Sequence, residues 1–141
     1  MRSWAEGALA LGLTLVLGVA LWQFTGESID TGASDTTTPV AFDSEGAARG
    51  ETIAADNGCL ACHTIDGTAG TGPTWKGLAG ASRPLASGES VVADDAYLFN
   101  SIVAPSSQVV AGFDAVMPAT YAETLTEDDM NDLVEYVKSL G

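Results

Sequence analysis

The sequence has few of the residues on which nucleic-acid binding and most metal chemistry depend. Its 141 residues include five Lys and Arg against nineteen Asp and Glu, which gives a formal charge of −14 at pH 7. Nucleic acids and anionic lipids attract basic surfaces, so this balance argues against both as partners. Two cysteines and one histidine are too few for a structural zinc site or for a scaffold with several disulfides. A chain of this length suits one domain.

Apolar residues are concentrated near the N-terminus. Residues 7–26 carry no charge, and as a helix they would span about 30 Å, the thickness of a bilayer's hydrocarbon core. Aromatic residues lie near both ends of this run, as they do at membrane interfaces: Trp4, Trp22 and Phe24. Arg2 favours a cytoplasmic N-terminus. We therefore expect residues 1–26 to form a single-pass anchor that contacts the membrane over residues 4–24, with the remaining chain on the periplasmic or extracytoplasmic side.

A cleaved signal peptide is the alternative to a retained anchor. Its apolar core would be about 7–15 residues long and would end in small residues resembling Ala-x-Ala. The run in this chain is longer and ends in the bulky sequence Leu-Trp-Gln-Phe, which is a poor cleavage site. Residues 27–41 are rich in Ser, Thr, Gly and Asp and predict a flexible linker with an r.m.s. span of about 20 Å. The domain proper is expected to cover residues 42–141.

Capping signals and apolar spacing predict helices in this domain. They are expected from Asp43 or Ser44 to Asn57-Gly58, from Asp94 to Val103, and from the capping pair Thr126 and Asp129 through Lys138. The last of these has an apolar stripe at i, i+3, i+4 and i+7, formed by Met130, Leu133, Val134 and Val137. A glycine-rich loop is expected over residues 67–80. Because no segment alternates as a strand does, the sequence predicts an all-α domain with long loops.

The most specific motif is Cys59-Leu60-Ala61-Cys62-His63, which indicates attachment of a c-type haem. Two thiols three positions apart can each bond one vinyl carbon of a porphyrin, and the next residue delivers an imidazole to the iron. A thioredoxin-like pair would need a βαβ setting, which the sequence does not predict. A simple disulfide would leave the adjacent histidine unexplained. We expect one haem c, attached through Cys59 and Cys62, with His63 as an axial ligand.

A methionine is the expected second axial ligand, because the only histidine is already used. Met117 precedes Pro118 in an irregular segment that can fold over the other haem face, so we expect it to be the ligand. Met130 is the alternative, but it falls on the apolar stripe of the last helix, where methionine usually fills the core. A haem without a sixth protein ligand is the remaining possibility.

The motifs together resemble the class I cytochromes c, over residues 50–140. The resemblance is carried by residues 58–63 and 72–78, Tyr97-Leu98, Ser101-Ile102, Pro105, Gly112-Phe113, Met117-Pro118 and residues 133–137. The chain is most similar to the haem domain fused to subunit II of some haem–copper oxidases, and to the membrane-anchored monohaem subunit of alternative complex III. The resemblance implies the class I cytochrome c fold, here with one N-terminal transmembrane helix.

The same resemblance implies roles for individual residues. Pro73 would offer its carbonyl to the Nδ1–H of His63, a bond that orients the ring. Gly50 would let the first helix cross the last one near Leu133 and Tyr136. Further residues would form the walls of the haem site: Trp75, Leu78, Tyr97, Ile102, Val109 and Phe113. The family often has an aromatic residue four or five positions before the first cysteine, where this chain has Ala54 and Ala55, so looser packing of the terminal helices is expected.

These expectations favour a one-electron carrier over an enzyme. With both axial positions filled, no small-molecule substrate would bind the iron. A haem peroxidase or a haem-based sensor module is the alternative, and a peroxidase would need an open distal site with an acid–base residue. The expected partners are a membrane-embedded redox complex, quinol-oxidising or oxidase, of a respiratory or photosynthetic chain, and an electron-transfer protein that is basic or neutral.

Overall fold

The computed structural model describes residues 40–141. The predicted anchor, residues 1–26, and the predicted linker up to residue 39 lie outside the described residues. Over residues 40–141, no helix is long and apolar enough to cross a membrane. In chain order the elements are α1 (Ser44–Asp56), a 3₁₀ turn (Cys59–Ala61), β1 (Ser82–Pro84), β2 (Ser90–Val92), α2 (Asp95–Val103), α3 (Tyr121–Thr124) and α4 (Glu127–Ser139).

The three longer helices begin within one residue of the starts predicted from the sequence. The Asp43 carboxylate accepts hydrogen bonds from the first backbone N–H groups of α1, and Asp94 does the same for Tyr97 in α2. In α4, the Thr126 hydroxyl accepts from the Asp129 backbone at 3.1 Å while the Asp129 carboxylate accepts from the Thr126 backbone at 2.9 Å. The predicted capping box is thereby confirmed. These bonds satisfy N–H groups that have no partner inside a helix.

Helices α1 and α4 pack against each other at a crossing that depends on Gly50. A Cβ at this position would lie 2.0 Å from the Asp132 carbonyl oxygen and 2.9 Å from the Tyr136 Cβ. Only glycine therefore allows the two backbones to approach this closely. Ala54, in the region where the family often has an aromatic residue, is fully buried in the core, and Ala55 is exposed. The expectation of looser helix packing stays a prediction.

Ion pairs join α4 to α1 and to α2. Arg49 of α1 makes two bonds to the Asp132 carboxylate of α4, at 2.6 and 2.7 Å. Lys138 is 9% exposed, and its ammonium group donates to Glu135 at 2.9 Å and to Asp95 of α2 at 3.1 Å. The Glu135 carboxylate also accepts a hydrogen bond from the backbone N–H of Asp43, at 2.6 Å. These contacts connect α4 with the starts of both α1 and α2.

The expectation of an all-α domain is wrong at one place, where a two-stranded antiparallel ribbon forms. Strands β1 and β2 pair with Arg83 opposite Val91, and the turn between them includes Gly88 at φ 90°. Each strand has three residues, which is too short to produce a readable alternation of polar and apolar side chains. Backbone hydrogen bonds join the ribbon to residues 109–111. The ribbon therefore positions this segment, which leads into the site.

Candidate functional site

The Cys59–His63 motif forms a tight turn immediately after α1. Gly58 ends the helix in the left-handed region at φ 70°, a conformation that glycine adopts without strain. The chain then turns so that the backbone N–H groups of Cys62 and His63 both donate to the Cys59 carbonyl, at 3.2 and 3.0 Å. Both thiols are free; Cys59 is half-buried and Cys62 is exposed. The turn therefore holds two thiols and an imidazole within five residues.

The imidazole of His63 is held in a cradle built by residues 72–75. Its Nδ1–H donates to the Pro73 carbonyl at 2.8 Å, which is the contact that the family resemblance implied. The indole of Trp75 stacks on the imidazole, with ring centroids 5.0 Å apart and an interplanar angle of 20°. A Cβ at Gly72 would lie 2.7 Å from the His63 Cε1, so a larger residue would displace the ring. The imidazole is thus restrained on several sides.

Burial keeps this imidazole neutral. Loss of solvent lowers the pKa of His63 below its ordinary value, and the hydrogen bond to Pro73 opposes that shift without cancelling it. A neutral imidazole is the form that binds a metal. Because Nδ1 is occupied by the Pro73 bond, Nε2 is the nitrogen left for coordination.

Backbone hydrogen bonds fold the glycine-rich loop back onto the motif. The Gly72 N–H donates to the Cys62 carbonyl at 2.9 Å, and the Trp75 N–H donates to the Thr64 carbonyl at 2.8 Å. The Thr74 hydroxyl donates to the same Thr64 carbonyl at 3.1 Å. These bonds fix the cradle relative to the cysteines, so the loop is ordered by its own backbone and needs no regular secondary structure.

A largely apolar pocket opens in front of the imidazole. All of the haem-site residues predicted from the sequence border it: Cys59, Cys62, His63, Pro73, Trp75, Leu78, Tyr97, Ile102, Val109, Phe113 and Met117. Met117 is half-buried there, whereas Met130 is 6% exposed in α4 and does not border the pocket. The structure therefore brings the predicted residues together. Their roles toward a haem, including axial ligation by Met117, remain predictions.

Tyr121 is a pocket residue that the sequence analysis did not identify. It follows Met117 by four positions and borders the same pocket. Its hydroxyl donates to the Asn57 carbonyl at 3.3 Å, which links the segment after Met117 to the end of α1. Burial is the largest influence on this phenol and raises its pKa. The sequence does contain a feature that could have identified it, since Tyr121 is the only aromatic residue between Met117 and the last helix.

A comparison with known families assigns the domain. A family model described as Cytochrome c matches residues 47–141. The chain belongs to the cytochrome c family. Among solved structures it is similar to cytochrome cH from Methylobacterium extorquens, with 28% identity over 66% of this chain and 97% of that chain, and a TM-score of 0.47. No curated protein matches the chain. Cytochromes c bind haem c covalently through cysteines and typically transfer electrons, and this domain has the two cysteines required.

The residues around the pocket of this cytochrome fit a haem. The pocket is lined mainly by aliphatic and aromatic side chains, which suit the faces of a porphyrin. Burial, the largest influence, raises the pKa of Cys59. The imidazole is neutral and oriented, and a thioether borders the same pocket. Over residues 40–141, no group of three or more His, Cys, Asp or Glu residues forms an alternative metal site.

Proposed function

We propose that this cytochrome c is a one-electron carrier with His63 and Met117 as the axial ligands of a single haem c. The observation that carries the proposal is the shared pocket: an oriented neutral imidazole and a thioether border one apolar cavity beside two free thiols. When bound, the haem supplies an iron that accepts and releases one electron. A ligand set of one histidine and one methionine is the one used in electron-transfer cytochromes.

The residues of this chain then have distinct tasks. Cys59 and Cys62 would hold the porphyrin through thioether bonds, and His63 and Met117 would ligate its iron. The bond from His63 to the Pro73 carbonyl keeps the ring oriented and raises its basicity. Apolar walls exclude water, so little solvent has to reorganise when the charge on the iron changes.

The lining of the pocket supports a carrier over a haem peroxidase. A peroxidase needs an acid–base residue beside an open coordination site. Among the described residues that line the pocket, Asp114 is the only carboxylate, and it is exposed. His63 is the only histidine in the chain, and its Nδ1 is already bound to Pro73. This site therefore favours electron transfer without a bound substrate.

We further propose that the carrier is anchored in a membrane by residues 1–26, with the haem domain on the periplasmic or extracytoplasmic side. The uncharged run over residues 7–26 supports an anchor, and the polar sequence after it supports a tether of about 20 Å. Such a tether restricts encounters to the membrane surface. A quinol-oxidising or oxidase complex in a respiratory or photosynthetic chain is the proposed host. N-terminal sequencing of the mature protein tests the anchor, and a chain that begins near Glu27 would contradict it.

The ligand proposal is tested by the optical spectra of the purified protein and two methionine variants. The ferric parent should be low-spin with a weak far-red methionine–iron band. Met117→Ala should give a high-spin or water-ligated haem with a lower reduction potential, because a soft thioether favours the ferrous iron. Met130→Leu is the matched control: it exchanges apolar side chains of similar volume outside the pocket and should leave the spectrum unchanged. The opposite result for the two variants would refute the assignment, and a high-spin parent would favour the peroxidase.

A further inference from the structure

The contacts of Trp75 differ from those of a residue that only forms a pocket wall. Its indole lies parallel to the imidazole of His63, with ring centroids 5.0 Å apart. The side chain is 9% exposed, and the backbone N–H is held by the Thr64 carbonyl at 2.8 Å. The backbone of Trp75 is therefore held by a bond that does not involve His63, and its side chain is buried.

Trp75 also contacts a residue of the helix crossing. The ring of Tyr136 meets the indole edge-on, with ring centroids 6.0 Å apart and an interplanar angle of 88°. Tyr136 is itself buried in α4 at the close approach to Gly50. Edge-to-face and stacked pairs are both favourable arrangements of aromatic rings. A continuous set of packed rings thus extends from the rigid α1–α4 crossing to the imidazole.

Several contacts together orient the imidazole of His63. The bond from Nδ1–H to the Pro73 carbonyl holds one edge of the ring, and Gly72 packs closely against the ring, but neither contact places a second plane on its face. The stacked indole of Trp75 supplies that plane and opposes rocking of the ring. It also excludes water from that face of the ring, and exclusion of water raises the energy of the more highly charged ferric state.

We propose that Trp75 is a positioning residue for His63: the stacked indole sets the orientation of the imidazole plane on the iron and thereby tunes the reduction potential. The inference rests on the proposed function in one respect, since it requires His63 to be an axial ligand. Trp75 would then affect the iron through His63, in addition to contacting the porphyrin.

The test compares Trp75→Leu with Trp75→Phe in the haem-loaded, full-length protein. Three readouts are used: the g-values of the ferric EPR spectrum, which report the orientation of the axial ligand plane, the solvent-exchange rate of the His63 Nδ1 proton by NMR, and the midpoint potential. For Trp75→Leu we expect changed g-values and a lower midpoint potential. We also expect exchange of the Nδ1 proton to be faster by about three- to tenfold, which is the factor that corresponds to the loss of one aromatic pair. Trp75→Phe retains a ring that can stack and should stay near the parent.

Two further variants separate positioning from stability. Met130→Ala removes a buried side chain that does not border the pocket; it should lower the unfolding temperature and leave all three readouts unchanged. Tyr136→Leu removes the edge contact with the indole but retains Trp75 itself. Because the indole is then less firmly held, the readouts should shift in the same direction as for Trp75→Leu, by a smaller amount. This variant keeps the proposal testable if Trp75→Leu fails to mature.

The results separate failure of this inference from failure of the proposed function. A parent protein without a low-spin, six-coordinate spectrum would refute the ligand assignment before any Trp75 variant is made. With that spectrum present, readouts for Trp75→Leu that match those of Met130→Ala would overturn the positioning role. In the absence of mature Trp75→Leu protein, unchanged readouts for Tyr136→Leu would overturn it equally.

Discussion

Replacement of Gly50 by alanine tests the helix crossing on which the core of this domain depends. The added Cβ would lie 2.0 Å from the Asp132 carbonyl oxygen and 2.6 Å from its carbon. Both are backbone atoms in the middle of α4, so they cannot rotate away as a side chain would. The contact with the carbonyl oxygen would have to lengthen by about 1.4 Å before it reached an ordinary van der Waals distance.

The expected cost follows from two opposing effects. Overpacking of a well-packed core costs about 1–3 kcal/mol and occasionally more, and a clash with helix backbone belongs at the upper end. Alanine regains about 1 kcal/mol of helix propensity relative to glycine. We therefore expect Gly50→Ala to lower the free energy of unfolding by about 2 kcal/mol. For a domain of about 100 residues this corresponds to a fall in Tm of roughly 8–16 °C.

Thermal unfolding of the haem-loaded protein, followed by far-UV circular dichroism, measures this effect. Gly46→Ala is the matched control, because the three atoms nearest to a Cβ at this position, in the first turn of α1, all belong to side chains, of Asp43, Asp132 and Glu135. These can adjust by a few tenths of an ångström, so the control should stay close to the parent Tm. A Gly50→Ala protein as stable as the parent would refute the close approach of the two backbones.

Two further outcomes are expected. Thr126→Ala removes the capping box of α4 and should lower the free energy of unfolding by about 1 kcal/mol in denaturant titrations. Hydrogen bonds from the Thr126 side chain and, second, from its backbone lower the pKa of Asp129, so their contribution to stability is lost as the pH falls through that lowered pKa. The difference in free energy of unfolding between the parent and Thr126→Ala should therefore narrow in acid, and a constant difference contradicts this account. From Glu27 onward, eighteen acidic residues oppose four basic ones; electron transfer with a basic partner should slow as salt is added in stopped-flow experiments, and a rate that rises would indicate an acidic partner.

Much of the fold could be predicted because its signals are local. Asp43, Asp94 and Thr126 cap helices through atoms within three residues of themselves, and the structure places the helix starts there. The spacing of apolar residues also distinguished the two methionines. The apolar stripe that includes Met130 packs in the core, whereas Met117 borders the pocket. Patterns that act over one or two helical turns are therefore reliable guides in this chain.

The features that could not be predicted depend on contacts between distant residues. The ribbon of β1 and β2 is stabilised by pairing across Gly88 and by bonds to residues 109–111, and no alternation in three-residue strands reveals it. The stacking of Trp75 on His63 joins residues twelve positions apart through the path of a glycine-rich loop. Loop paths follow from backbone bonds such as that from Gly72 to Cys62, which leave no periodic signal in the sequence.

The two proposed axial ligands lie in parts of the fold that are held with different firmness. The ring of His63 is bound to the Pro73 carbonyl and stacked on Trp75, and its backbone belongs to the cysteine turn. Met117 lies between α2 and α3 in a segment without helix or strand, beside Val116, which is 60% exposed. Segments with few buried contacts open at a lower free energy than the core around them. Exchange of a ligand at the iron should therefore begin at Met117, and an added ligand such as imidazole should displace the thioether while the bond to His63 persists.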